Sequence, residues 1–277
     1  MPELPEVETV RNSLKQLVLN ETITDVEVFY DKIIKNVDVE TFKTSLINQT
    51  INDIQRLGKY LIFVLDDYYL ISHLRMEGKY YLKDNNEYSK HEHIVFHLGK
   101  KTLTYADTRK FGTMNLLSKD IDIYKEIPLN KVGLEPFNEN FTLEYLEEKF
   151  KNSKRPIKTS LLDQGIVAGL GNIYVDEVLF LSSLNPNKPT NEISKEEIKM
   201  IIESSIKVLN KAIKLGGTTI RSFTVNHDIS GKFQNELLIH TKKECPTCNR
   251  KVVKIYVGGR GTYYCEFCQS LDKEKNL

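Results

Sequence analysis

The sequence predicts an α+β protein of more than one domain: an antiparallel β domain with a leading helix, a helical part and a small cysteine-rich module. The chain has 277 residues, more than one ordinary domain contains. Apolar residues recur with strand-like spacing in the first half and helix-like spacing in the second. All four cysteines lie near the carboxyl end. These observations together define the fold class.

The leading helix is predicted from its first turn and from one apolar face. Pro5 suits an early helical position, and Glu6 and Glu8 lie where acidic side chains favour the positive end of the helix dipole. Apolar residues then recur every three or four positions, at Val7, Val10, Leu14 and Leu17. This spacing predicts one buried face.

A β domain is predicted from Ile23 to about Leu117. Four segments in it are rich in β-branched and aromatic residues: Lys59–Leu65, Tyr68–Leu74, Glu92–Leu98 and Thr102–Tyr105. Turn signals separate the segments: Asp66-Asp67, Asp84-Asn85-Asn86 and Gly99-Lys100-Lys101. Short strands joined by tight turns predict antiparallel pairing.

The second half is predicted to be helical. Pro128, Gly133 and Pro136 lie in a stretch without periodicity, which predicts a boundary there. Helical spacing follows in four segments: Leu143–Phe150, Ile157–Asp163, Asn172–Leu181 and Lys195–Lys214. We therefore expect three parts, at 1–130, 131–235 and 236–277.

The composition indicates where the protein is located and which kinds of partner it can bind. No apolar run approaches the roughly 20 residues that a membrane helix needs. The amino terminus is acidic and has two prolines in its first five residues, which is unlike a signal peptide. We expect a cytoplasmic protein with no membrane partner. The net charge of +1 does not identify a nucleic-acid binder, although basic residues concentrate in 242–260.

The cysteines form two CxxC pairs, Cys245–Cys248 and Cys265–Cys268. Two such pairs with a hairpin-like segment between them let four thiolates converge on one zinc ion. Two disulfides are disfavoured in the cytosol, and a redox site needs one pair alone. Because four cysteines leave no open coordination position, the predicted zinc is structural.

The amino-terminal segment Met1–Thr9 carries candidate chemistry. If Met1 is removed, Pro2 becomes a secondary amine that can attack a sugar C1′ and form an iminium. Glu3 beside it is a candidate general acid on the sugar ring oxygen. From these residues alone, the pattern is more typical of a plain helix start.

A resemblance reverses that preference. The amino terminus and the cysteine pairs resemble those of the formamidopyrimidine-DNA glycosylases. Similar segments recur in the family's order: Gly58–Leu61, His73–Gly78, Asp107–Gly112, Gly169–Tyr174, Gly216–Thr219 and Gly258–Thr262. The resemblance implies an N-terminal β-sandwich, a helix–two-turn–helix domain and a zinc ribbon. It also implies a monomer that binds damaged double-stranded DNA and uses no small-molecule cofactor.

The resemblance further implies the catalytic roles. Pro2 is expected to be the nucleophile, Glu3 the acid and Glu6 a residue that holds the amino terminus in place. Lys59 matches a proton donor in β-elimination, and Arg260 matches one in δ-elimination. The protein is therefore expected to excise an oxidised purine and then cut the strand.

The remaining matched residues are expected to bind DNA. Met76, Arg109 and Phe111 match residues that fill the space left by the flipped base, although Met76 and Phe111 alone are more typical of core packing. His91, Lys154 and Asn172 match contacts to the DNA backbone. Without the family, Asn172 is simply a helix cap.

Several residues indicate the purine branch of the family. Leu4, Val7, Arg109 and Phe111 differ from the endonuclease VIII type, which prefers oxidised pyrimidines. Gly216–Phe223 resembles the start of a loop that covers flipped 8-oxoguanine. One segment departs from the family, because Leu238–Lys242 replaces a Val-Tyr-Gly-Arg-like sequence.

Two alternatives remain at this point. A non-catalytic DNA-binding module would bind DNA without forming a covalent adduct, and the presence of both Pro2 and Glu3 argues against it. An endonuclease VIII-like enzyme would prefer oxidised pyrimidines.

Overall fold

The described chain forms two compact units. A computed structural model describes residues 1–84, 88–218, 224–225, 227–228 and 231–271. One unit comprises Met1–Lys131 and Gly216–Gly231, and the other comprises Val132–Leu215 and Lys232–Leu277. Residues 216–218 fall in the predicted part 131–235 and are grouped with the first unit. The division into three parts stays a prediction.

The first unit is a sandwich of two four-stranded antiparallel sheets with a leading helix, as predicted. Its helices are α1 (Leu4–Val18) and α2 (Val39–Leu46). Its main strands are β1 (Asp25–Val28), β2 (Asp53–Leu57), β3 (Tyr60–Val64), β4 (Tyr68–His73), β5 (Lys79–Lys83), β6 (Glu92–Leu98), β7 (Lys101–Ala106) and β8 (Thr113–Ser118). The strand orders are β1-β6-β7-β5 and β2-β3-β4-β8. Two short strands, β9 (Thr224–Val225) and β10 (His227–Asp228), pair with each other.

One hydrophobic core joins the two sheets and the leading helix. Val7, Val10, Leu14 and Val18 of α1 pack in the same cluster as side chains from both sheets, such as Phe63 and Phe96. The predicted apolar face is therefore confirmed, with Leu17 only partly buried beside it. Because α1 is buried along its length, its first residues are fixed relative to both sheets.

The second unit is helical and ends in a hairpin. Its helices are α3 (Leu143–Phe150), α4 (Ile157–Leu162), α5 (Asn172–Leu181) and α6 (Lys195–Lys214). Three of the four match their predicted bounds, and α4 ends one residue early. The cysteine-rich module contains the antiparallel pair β11 (Val253–Val257) and β12 (Arg260–Tyr264), which confirms the predicted hairpin. Within the described ranges, no helix has the length and apolar character required to cross a bilayer.

Tyr105 near the end of β7 supports two loops of the first unit. The side chain is fully buried, and its ring packs 5.2 Å from that of Tyr80. Its hydroxyl occupies space left by Gly78 and Gly112, because a Cβ at either glycine would overlap it. Each glycine is the last residue of a segment predicted to contact DNA. The packing against Tyr105 therefore fixes the position of both loops relative to β7.

The substitution Gly112→Ala is expected to destabilise the first unit. The added methyl group must displace the buried Tyr105 hydroxyl, which corresponds to about 1–3 kcal/mol of overpacking strain. Urea denaturation measures the change. Gly99→Asn is the control, since Gly99 has φ +68° with no neighbouring atom within 4 Å, and asparagine tolerates that conformation. Equal stability of Gly112→Ala and the wild type would contradict the packing.

Candidate functional site

The amino terminus of α1 is organised by the carboxylate of Glu6. Glu3 and Glu6 are 3% and 2% exposed, and the Glu3 N–H donates to Glu6 Oε2 at 2.8 Å. Pro2, directly before Glu3, is partly buried. Because the bond fixes the backbone immediately after Pro2, the geometry agrees with the expectation that Glu6 holds this end of the chain.

The other oxygen of Glu6 binds the segment that follows α6 in sequence. Glu6 Oε1 accepts the Thr218 N–H at 2.8 Å and the Thr218 hydroxyl at 3.1 Å. A Cβ at Gly217 would lie 2.6 Å from the same oxygen, so glycine is required there. One carboxylate thus links the amino terminus to the first part of the predicted lesion-covering loop. Residues 219–223 of that loop lie outside the described residues.

Lys59 lies in the tight turn between β2 and β3 and is 4% exposed. A lysine is rarely this buried unless its charge is paired. The turn is tied to α1, since Arg56 Nε donates to Glu8 Oε2 at 2.8 Å and Arg56 Nη1 donates to the Gly58 carbonyl at 2.9 Å. The hairpin carrying Lys59 is therefore fixed to the helix that begins beside Pro2.

His73, the last residue of β4, is a titratable group that was not among the predicted site residues. Burial, with the nearby charges of Arg75 and Lys59, lowers its pKa to about 3. Its Nδ1 accepts the Arg75 N–H at 2.9 Å, and its ring lies 4.5 Å from that of Tyr60. The side chain is therefore neutral near pH 7 and acts as an acceptor at Nδ1.

Asp107 shapes the loop that contains two of the predicted space-filling residues. The acid is 1% exposed, and its carboxylate accepts the N–H groups of Arg109 at 3.0 Å, Phe111 at 2.9 Å and Gly112 at 2.8 Å. Lys110 adopts φ +58° within this turn. Three bonds to one carboxylate fix the backbone while the side chains of the loop point outward.

The three predicted space-filling residues are all exposed. Phe111 is 53% and Met76 37% exposed, and the Arg109 guanidinium lies 4.8 Å from the Phe111 ring centroid. Core packing is therefore wrong for Met76 and Phe111. The Thr108 hydroxyl donates to Glu77, which connects the two loops. Exposed apolar side chains on fixed loops suit insertion into a base stack.

His91 lies just before β6 and is exposed. It lines an open pocket together with Lys79, Lys83 and Asp107. The Asp107 N–H donates to the His91 carbonyl at 2.9 Å, so the backbone of His91 is connected to the loop that Asp107 shapes. The side chain itself faces solvent, where a DNA phosphate can reach it.

In the second unit, the predicted DNA contacts differ in exposure. Lys154 precedes α4 and is exposed, and Arg260 opens β12 and is also exposed. Asn172, the first residue of α5, is partly buried, and its Nδ2 donates to the Gly261 carbonyl at 2.9 Å. Its Oδ1 is buried without a hydrogen-bond partner in the described part of the chain. The Asn172 side chain thus faces the hairpin loop.

The four cysteine thiols converge as predicted. Their Sγ atoms all lie within 4.8 Å of one another, with Cys245–Cys268 at 3.8 Å and Cys248–Cys265 at 3.5 Å. A zinc ion bound tetrahedrally at about 2.3 Å from each sulfur places neighbouring sulfurs about 3.8 Å apart. The distances are far longer than the roughly 2.05 Å of a disulfide bond. The cluster therefore fits one structural zinc ion, which would join the two knuckles of the hairpin module.

The segment that departs from the family is held by Glu177 of α5. This acid is 1% exposed, and its carboxylate accepts the backbone N–H groups of Leu238 at 2.7 Å, Ile239 at 3.0 Å and His240 at 2.9 Å. Burial raises the pKa of Glu177, and the three donors oppose that rise. No local sequence pattern indicates these bonds, because the bonded residues lie about 60 positions from Glu177.

The comparisons with known proteins cover most of the chain. Residues 1–114 match the formamidopyrimidine-DNA glycosylase N-terminal domain, and residues 132–224 match the H2TH domain of the same enzymes. A formamidopyrimidine-DNA glycosylase of Shouchella clausii is 48% identical over 274 residues, which span 97% of this chain and 99% of that protein.

Solved structures give the same result. A Lactococcus lactis Fpg variant in complex with Fapy-dG-containing DNA superposes with a TM-score of 0.91 at 44% identity, covering 97% of this chain and 100% of that one. The Lactococcus lactis enzyme with abasic-site DNA gives a TM-score of 0.90 at 44% identity, covering 97% and 99%. The chain therefore belongs to the formamidopyrimidine-DNA glycosylase family.

Proposed function

We propose that Pro2 is the nucleophile with which this protein removes oxidised purines, 8-oxoguanine and formamidopyrimidines, from duplex DNA before it cuts the strand. Its family membership shows the activity, because formamidopyrimidine-DNA glycosylases are DNA glycosylases with abasic-site lyase activity. The observation that supports the role of Pro2 is that the start of α1 is fixed directly after it, because Glu6 accepts the Glu3 N–H. The chemistry requires that Met1 be removed, because an acylated proline nitrogen is not nucleophilic.

The excision step follows from these groups. The Pro2 nitrogen attacks C1′ of the flipped nucleotide, and the bond from C1′ to the base breaks with the electron pair leaving on the base. The N–H proton that the amine loses balances the proton that the departing base takes up. Glu3 gives a proton to the ring oxygen as the sugar opens, which leaves an iminium between Pro2 and C1′. The supporting observation is that Glu3 is buried and that its backbone N–H, directly after Pro2, is bound by Glu6.

Strand cleavage then uses the acidity that the iminium confers on the sugar carbons. Loss of a C2′ proton breaks the C3′–O bond (β-elimination), and loss of a C4′ proton breaks the C5′–O bond (δ-elimination). Lys59 and Arg260 are proposed to donate protons in the first and second steps and to bind the phosphate groups. Lys59 is buried, which suits a proton donor held in one position. Arg260 is exposed, which suits a side chain that extends to a phosphate group.

DNA recognition is proposed to depend on exposed side chains around these groups. Met76 and Phe111 replace the stacking of the flipped base, and Arg109 hydrogen-bonds the unpaired cytosine. His91, Lys154 and Asn172 contact the backbone, which dominates affinity and makes it salt-dependent. We further propose that the protein acts as a monomer in the cytoplasm, where bacterial DNA lies.

Borohydride trapping on a duplex with one 8-oxoguanine opposite cytosine tests the nucleophile. The wild type is expected to give a covalent adduct that maps to Pro2, and Pro2→Gly is expected to lose it. Glu3→Gln should slow base release by about 10²- to 10⁴-fold, the usual effect of a lost general acid.

The control is the same zinc-loaded protein with an amino-terminal extension that blocks the Pro2 nitrogen. It should bind the duplex but form no adduct. An adduct at another residue, or an adduct formed by the blocked protein, would exclude Pro2. Preference for an oxidised-pyrimidine duplex assayed in parallel would instead favour the endonuclease VIII type.

Salt dependence tests the backbone contacts. Affinity for a damaged duplex is expected to fall by about a thousandfold between about 50 and 200 mM salt, because binding releases condensed counterions. Lys154→Gln should reduce the slope of log K against log salt by about 0.9. Lys211→Gln is the control, since Lys211 already pairs with Glu236 at 2.7 Å, and should leave the slope unchanged. A flat salt response would contradict DNA binding through these cations.

A further inference from the structure

Asp176, on the second turn of α5, joins three segments of the second unit. Its Oδ1 lies 2.6 Å from Lys158 Nζ of α4, and both side chains are 0% exposed. Its Oδ2 lies 2.7 Å from His240 Nδ1 and accepts the Tyr263 N–H of β12 at 3.1 Å. One buried carboxylate thus connects a helix, the segment before the first cysteine and the second hairpin strand.

Lys158 and two further residues, Asn172 and Thr159, hold the backbone on both sides of Arg260. The Gly261 carbonyl accepts Asn172 Nδ2 at 2.9 Å and Lys158 Nζ at 3.4 Å. On the other side, Gly258 packs so closely on Thr159 that a Cβ would overlap its methyl group. The residues flanking Arg260 are therefore fixed to α4 and α5, while the guanidinium remains exposed.

The buried ion pair of Lys158 and Asp176 determines the position of the chain more than it adds to the free energy of unfolding. Taking two charges out of water costs about as much free energy as their attraction returns, so such pairs add little net stability. Their position, in contrast, is strictly defined, because an unpaired charge at 0% exposure is strongly unfavourable. The pair therefore specifies where the start of β12 lies relative to α4 and α5.

We propose that Asp176 is a positioning residue for Arg260. Through Lys158 and the Tyr263 N–H, it holds the Gly258–Gly261 loop so that the guanidinium meets the departing phosphate in δ-elimination. This inference rests on the proposed role of Arg260 and adds a group that never touches DNA. His240, which belongs to the segment that departs from the family, takes part through its bond to the same carboxylate.

The test is the ratio of the two cleavage products from an abasic-site duplex. Asp176→Asn should slow δ-elimination by about 10- to 100-fold, as a displaced catalytic group does, so that the β-product accumulates. Borohydride trapping should keep its wild-type rate, since that step uses the amino terminus. Glu236→Gln, which removes the acid of the exposed Lys211 pair in the same unit, is the control and should change neither rate.

Two results would overturn the proposal. One is an unchanged product ratio in Asp176→Asn that holds one zinc per chain. The other is an equal slowing of trapping, β-elimination and δ-elimination, which a merely structural role would cause. If Asp176→Asn does not retain zinc, the double variant Lys158→Met, Asp176→Leu removes both charges together, and the same two results decide.

Failure of this proposal is distinguishable from failure of the proposed role of Arg260. Arg260→Ala is measured in parallel, and wild-type δ-elimination in that variant would exclude the role of Arg260. Hydrogen exchange of the peptide covering residues 258–264 then reports the loop directly. Faster exchange in Asp176→Asn supports the positioning of the loop, and unchanged exchange overturns it.

Discussion

A buried carboxylate that accepts backbone N–H groups is the interaction on which several of the candidate segments depend. Glu6 holds the amino terminus and Thr218, and Asp107 holds the turn that presents Arg109 and Phe111. In the second unit, Glu177 binds three successive N–H groups and Asp176 binds one. Charge-assisted bonds of this kind are stronger than those between neutral groups, and burial removes the competition of water.

This arrangement separates the rigid backbone from the side chains that meet the substrate. Catalytic groups must be held close to their productive geometry by supporting bonds. Phe111 and Arg260 illustrate the result, since each is exposed on a loop whose flanking backbone is fixed. Exposed apolar side chains on a mobile loop would lose part of their binding free energy to ordering, whereas preorganised ones avoid that cost.

Local patterns explain what the sequence predicted well. The cysteine spacing indicated the thiol cluster, and periodicity gave the bounds of α3, α5 and α6. The eight-residue α2 was missed because it lies in a β-rich region and carries Val39, Thr41 and Thr44, which favour strands. The strands β1, β2, β5 and β8 were not predicted as separate elements, because each is only four to six residues long and such short segments give a weak signal, even where polar and apolar residues alternate as in β1.

Long-range contacts explain what the sequence could not show. The partners of Asp176 lie 18, 64 and 87 positions away, so no local pattern identifies it. Exposure likewise depends on the tertiary fold, and the apolar character of Met76 and Phe111 alone pointed to the core. The family resemblance supplied roles for these side chains, but the geometry that holds them follows from the folded chain.

The departure at Leu238–Lys242 illustrates how a sequence difference can leave the architecture intact. Glu177 binds the backbone of this segment rather than its side chains, so the bonds do not depend on which residues occupy it. Side chains of the segment contribute separately, since Ile239 is buried in a hydrophobic cluster and His240 bonds to Asp176. Lys242 and Lys243 line an open pocket beside the cysteine module, so positive charge persists where the family's glycine and arginine are absent. Buried acids thus hold the backbone of this segment, and lysine side chains keep the neighbouring surface basic.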